Sequence, residues 1–146
     1  MLYAAYGSNI SLLQMKYRCP NSKVFCKGVL HDWKLVFKYH ADIVRCKGSE
    51  VPVLVWDITD KDRDNLDFYE GYPHYYETKL VSVSAEDGKE FAAFVYIMNK
   101  DNNEPINMPS KYYFNGILEG YVENNMNVDY LYDALDDAGG IENLHD

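Results

Sequence analysis

The chain has 146 residues, 47% of them apolar and 25% charged, a composition that supports one globular domain and excludes extensive disorder. A net charge of −9, with lysine and arginine scattered, leaves no basic footprint for nucleic acid. No basic and apolar leader opens the chain, and no apolar run approaches the ~20 residues of a membrane helix.

In chain order, "LYAAY" reads as a short buried strand that stops abruptly at Gly7-Ser8-Asn9. "ISLLQMKYR" predicts a helix with Ile10, Leu13 and Tyr17 on one face and Leu12 and Met15 nearby, capped by Ser8, Asn9 or Ser11. "SKVFCKGVL" and "WKLVFKYH" predict two strands split near His31-Asp32. "EVPVLVWDIT" is the strongest strand signal, dense in Val and Ile around Trp56, with Pro52 at its start. "TDKDRDNLDFYEG" predicts a short helix: Thr59 or Asp60 caps it, acids fill its first turn, and Gly71 stops it.

A hairpin follows in "YYETKLVSVSAEDGKEFAAFVYIM", turning at Asp87-Gly88. A loop rich in Asn, Asp and Pro runs from Asn99 to Pro109. Two helices close the chain. The first starts near Ser110 and carries Tyr113, Ile117, Leu118, Tyr121 and Val122. The second is capped by Asn127, carries Val128, Leu131 and Leu135, and ends at Gly139-Gly140. About six strands and four helices, not strictly alternating, predict an α+β fold. Its sheet is mixed, largely antiparallel, and curled around flanking helices. One domain spans residues 1–146, with about six C-terminal residues frayed.

Familiar catalytic signatures are missing. The sequence holds no G-x-S-x-G, Walker loop or G-x-G-x-x-G. His31, His40, His74 and His145 form no metal-ligand spacing, and each reads as a surface or satisfied imidazole. Cys19, Cys26 and Cys46 are odd in number and lack a C-x-x-C, as expected for reduced thiols of a cytoplasmic protein. No metal and no cofactor are therefore expected. The fourteen tyrosines serve mainly as strand residues, a few lining a pocket.

"YGSN" directly after the first strand, with "LDFYEGYPHYYE" about sixty residues later, resembles the gamma-glutamylcyclotransferase-like (AIG2-like) family. "FVYIM" and "PSKYYFNGILEGYVENNMNVDYL" are similar to its later segments, so the resemblance covers nearly the whole chain. It implies a small mixed fold around a barrel-like sheet. It also implies one reaction: the α-amine of a γ-glutamyl compound attacks its own γ-carbonyl, closing 5-oxoproline and releasing the attached amine. The substrate brings its own nucleophile, so proximity supplies much of the rate, in favourable cases ~7–11 kcal/mol.

By resemblance, Tyr6, Gly7, Ser8, Asn9 and Ile10 form a binding loop whose amides hold the substrate carboxylate. A plain helix cap is the commoner local explanation of Ser-Asn. Glu70 matches the general acid/base. A free Glu near pKa ~4.3 is too weak a base, and a half-apolar setting of Phe68, Tyr69 and Tyr72 would raise it. An acid at a helix C-terminus also opposes the helix dipole, which favours a functional reason for it. Tyr76, Tyr96 and Tyr113 match pocket tyrosines, with Tyr75 and Tyr112 as alternatives and a packed core residue as the bland reading of Tyr96. The partner implied is a small γ-glutamyl molecule, with no nucleic acid or membrane. A ligand-binding protein without turnover on the same fold remains the other reading. Neither the leaving amine nor the oligomeric state is legible in the sequence.

Overall fold

A computed structural model describes residues 1–143. The strands are β1 (Leu2–Ala5), β2 (Lys23–Lys38), β3 (His40–Asp57), β4 (Tyr76–Ala85) and β5 (Glu90–Met98). They close into a barrel in the order β1-β3-β2-β4-β5. Every pairing is antiparallel except the closing one, where Tyr3 of β1 meets Phe94 of β5 in parallel. The helices are α1 (Leu12–Arg18), α2 (Asp60–Tyr69), α3 (Lys111–Glu123) and α4 (Asp129–Ala138).

Five strands replace the six expected. "SKVFCKGVL" and "WKLVFKYH" are one strand, because His31-Asp32 is a register shift inside β2 and not a break. Asp32 takes a left-handed φ of 66° and accepts a hydrogen bond from the Gly48 amide at 3.0 Å. The extra residue is absorbed as a bulge. β3 also begins ten residues before "EVPVLVWDIT". It leaves β2 through a one-residue turn at Tyr39, with Lys38 opposite His40. Pro52 thus lies inside β3, beyond the stretch that β1 covers (Leu54–Asp57), so β3 still meets the proline rule with one edge free.

The α1 face also differs from the expected one. Ile10 and Met15 are fully buried, while Leu13 and Tyr17 point to solvent, Tyr17 at 77% exposure. A short 3-10 turn at Ser8–Ile10 precedes the helix and offsets its phase. The α2 reading holds: Thr59 caps it in a reciprocal capping box with the buried Asp62. Gly88 takes the left-handed position in the β4–β5 turn. Ile141–Asn143 form a 3-10 turn; the rest of the stretch expected to fray, residues 144–146, lies outside the described residues.

One hydrophobic core joins the barrel to the helices. β3 is buried continuously from Val51 to Trp56, as expected of a strand covered on both faces. Phe114, Ile117 and Tyr121 of α3 and Leu131 and Leu135 of α4 complete it. Gly120 lets α3 approach the Ser8–Ile10 turn closely. A Cβ there would sit 2.9 Å from the Ser11 nitrogen and 3.1 Å from the Ile10 carbonyl carbon.

Candidate active site

The turn that follows β1 is held from below. The Trp56 indole donates to the Asn9 carbonyl at 2.9 Å, and Asn124 Nδ2 donates to the Ile10 carbonyl at 3.1 Å. Ser11 alone caps α1, accepting from the Gln14 amide at 3.2 Å. Ser8 and Asn9 are therefore released from capping. Among the described residues, the Gly7, Ser8 and Asn9 amides donate to no protein acceptor. Three unpaired backbone donors in one turn make a local anion-friendly surface.

Above this turn lies a cavity of about 480 Å³. Tyr6, Gly7, Ser8, Asn9, Glu70, Tyr76, Tyr96 and Tyr113 all line it. Ile10 does not. Its side chain is fully buried in the core and its amide already donates to the Gly7 carbonyl at 3.1 Å. Of the two paired alternatives, Tyr75 lines the cavity as well as Tyr76, whereas Tyr112 is 88% exposed and faces away. Tyr3, Arg18, His40 and Ala41 line it too and were not anticipated.

Glu70 caps the C-terminus of α2, where Gly71 with φ 63° turns the chain away. The residue is half-buried, and burial pushes its carboxyl from 4.5 up to about 7, with the nearby Arg18 charge pulling the other way. The dry surroundings are only in part those expected. Phe68 is 85% exposed, and Tyr69 and Tyr72 are exposed as well. Phe68 and Tyr69 nonetheless line the cavity together with Glu70, whereas Tyr72 does not. The buried rings of Tyr3, Tyr6, Tyr76 and Tyr113 provide the setting, each electrostatically coupled to the Glu70 charge. Asn9 Nδ2 reaches Glu70 Oε1 at 3.4 Å.

The tyrosines divide by where their protons go. Tyr6 donates to the Tyr96 carbonyl at 2.5 Å, Tyr76 to the Ala41 carbonyl at 2.6 Å, and Tyr96 to Asp67 Oδ1 at 2.6 Å. Their protons are committed to the wall. Tyr113 instead accepts from the Ala41 amide at 3.1 Å, and Tyr3 accepts from Asn9 Nδ2 at 3.0 Å. Among the described residues neither hydroxyl donates to a protein acceptor, so both keep a proton for a ligand. Tyr96 is both core-packed and cavity-lining, fixed by the carboxylate one helical turn before Glu70. Burial raises every one of these phenols, which keeps them neutral donors at physiological pH.

His40 sits at the β2–β3 turn, half-buried, with Nδ1 3.0 Å from the Tyr75 hydroxyl; burial lowers its pKa and favours the neutral ring. It is a satisfied imidazole, yet one at the cavity wall. The cysteines are unpaired and none lines the cavity. The Cys19 thiol, pushed up to about 12 by burial and Asp62, is no nucleophile. Among the described residues no group of three His, Cys, Asp or Glu side chains could hold a metal ion.

Residues 3–115 match the family described as gamma-glutamyl cyclotransferase, AIG2-like. The chain belongs to that family. It is an enzyme of the gamma-glutamylcyclotransferase type. Human gamma-glutamylcyclotransferase is 32% identical over 142 residues, covering 88% of this chain and 74% of the human protein. A solved structure of a gamma-glutamyl cyclotransferase superposes with a TM-score of 0.83 at 29% identity, over 97% of this chain and 89% of that one. YkqA from Bacillus subtilis shares the fold, with a TM-score of 0.77 at 16% identity over 99% of this chain and 55% of that one. The fold of this family is the barrel-like α+β arrangement found here. No helix among the described residues is long and apolar enough to cross a membrane.

Proposed function

We propose that the cavity binds the glutamyl end of a γ-glutamyl amine or γ-glutamyl amino acid and releases 5-oxoproline, with Glu70 as general acid/base. The observation that carries this reading is the Glu70 carboxyl lining one cavity with the unpaired Gly7, Ser8 and Asn9 amides, where burial pushes it up to about 7. A group near neutrality can both take and return a proton. The Glu70 carboxylate takes a proton from the substrate ammonium. The freed α-nitrogen attacks the γ-carbonyl carbon, forming the ring C–N bond, and the carbonyl oxygen gains the negative charge. The Gly7, Ser8 and Asn9 amides and the Tyr3 and Tyr113 hydroxyls supply donors for that oxyanion and for the α-carboxylate. Glu70 gives its proton to the amine nitrogen of this intermediate, then takes the surplus proton of the ring nitrogen and passes it to solvent; the oxyanion reforms the carbonyl as the original C–N bond breaks and the neutral amine departs.

Residues 1–146 act as a single domain in this reading, supported by the one continuous core. The unpaired thiols support a reducing, cytoplasmic setting. The test is incubation with a panel of γ-glutamyl compounds and detection of 5-oxoproline by mass spectrometry, with Glu70→Gln alongside. Product from the wild type and a loss of ~10²–10⁴-fold in the variant are expected. Binding of a γ-glutamyl compound without any product from the wild type would mean a binder without turnover.

A further inference from the structure

Arg18 is the last residue of α1, and its guanidinium reaches back over the turn that precedes the helix. Nη1 donates to Ser8 Oγ at 3.1 Å and to Asn9 Oδ1 at 2.7 Å, and the guanidinium covers the Tyr69 ring at 4.9 Å. The residue is half-buried and is the one lysine or arginine lining the cavity. Among the described residues its hydrogen bonds go to two neutral side chains, and its charge enters no ion pair.

A guanidinium donates and cannot accept. The Asn9 carboxamide must therefore turn its oxygen toward Arg18, which aims Nδ2 the other way. Nδ2 then meets the Tyr3 hydroxyl at 3.0 Å and Glu70 Oε1 at 3.4 Å. Without the guanidinium, a carboxamide flip would present an oxygen to the carboxylate, a repulsive arrangement. Three elements thus form one chain from cation to carboxylate: the end of α1, the turn after β1, and, about sixty residues on, the end of α2. Asn9, the link in the middle, is itself buried, so the centre of this chain is shielded from water.

We propose that Arg18 is a positioning residue for the reaction: acting through the Asn9 carboxamide, it holds Glu70 in the ionised, proton-accepting form. This rests on Glu70 being the proton-transfer group. The Arg18 charge opposes the effect of burial on that carboxyl, in keeping with the geometry.

The test is an NMR titration of the Glu70 carboxyl carbon in the ligand-free protein, with pH profiles of kcat/KM beside it. In Arg18→Met the Glu70 midpoint moves upward, and the acid limb of kcat/KM moves with it. Activity then falls further at about pH 6 than at about pH 8. Arg18→Lys, which keeps the charge, restores part of both. An unmoved Glu70 midpoint in a folded Arg18→Met overturns the proposal. So does a loss confined to KM and equal at every pH, which would make Arg18 a plain substrate anchor. If Arg18→Met does not fold, Arg18→Leu, which likewise lacks both the charge and a donor for Asn9, carries the same test. The titration needs no substrate, so a failed 5-oxoproline assay defeats the proposed reaction while the midpoint still judges Arg18.

Discussion

Glu70→Gln should stabilise the fold while removing turnover, and the gain should appear only at neutral and alkaline pH. Below about pH 4 the carboxyl is neutral in folded and unfolded chains alike. Between 4.5 and about 7 the unfolded chain ionises while the folded one retains its proton, so stability falls as pH rises. Above 7 the folded protein bears the full penalty of a buried carboxylate. At about 1.36 kcal/mol per pH unit between those limits, the penalty is about 3 kcal/mol. Glutamine keeps the shape of the neutral acid and an oxygen for Asn9 Nδ2, but never ionises. Thermal or urea unfolding of both proteins at pH 4 and pH 8 measures the effect. In a domain of this size the variant should melt roughly 10 °C higher at pH 8 and nearly level at pH 4. Equal destabilisation at both pH values would refute the claim that burial dominates at this carboxyl. The wild type's kcat/KM should have an acid limb near the same pH, about 7, since the protonated form cannot accept the substrate's proton.

Two further expectations concern the walls of the site. Tyr113→Phe removes the acceptor of the buried Ala41 amide and should lower stability by ~1–3 kcal/mol together with kcat/KM, whereas the exposed Tyr112→Phe should change stability by less than ~0.5 kcal/mol and leave turnover alone. Gly120→Ala places a methyl 2.9 Å from the Ser11 nitrogen and should lose ~1–3 kcal/mol in unfolding experiments, outweighing the ~1 kcal/mol that alanine offers a helix. Because the yielding atoms belong to the Ser8–Ile10 turn, its kcat/KM should fall by more than that of an equally destabilised α4 variant.

Local interactions explain why much of the fold is legible in the sequence. Thr59 and Gly71 bound α2 because capping and left-handed turning are decided within a few residues. The hairpin at Asp87-Gly88 and the Ser110 cap of α3 follow the same rule. The abrupt stop at Gly7-Ser8-Asn9 and the acid at an unfavourable helix end are local features too, whereas the roles expected of them come from the family resemblance. Errors arose where the partner strand decides the outcome. His31-Asp32 looks like a break, yet a bulge opposite β3 keeps β2 continuous.

The site's electrostatics came only from tertiary structure. Arg18 reads as an ordinary cation in the last turn of a short helix, since that placement favours any basic residue. Nothing within a few residues reveals that α1 folds back to place its guanidinium on Asn9. Likewise, the sequence neighbours Phe68 and Tyr69 are exposed, and the rings that dry Glu70 come from β1, β4 and α3. Sequence by itself determined the helices, the turns and most of the strands, because caps, turns and periodicity act over a few residues. Barrel closure decided the rest, because desolvation and hydrogen bonding depend on which atoms meet in space.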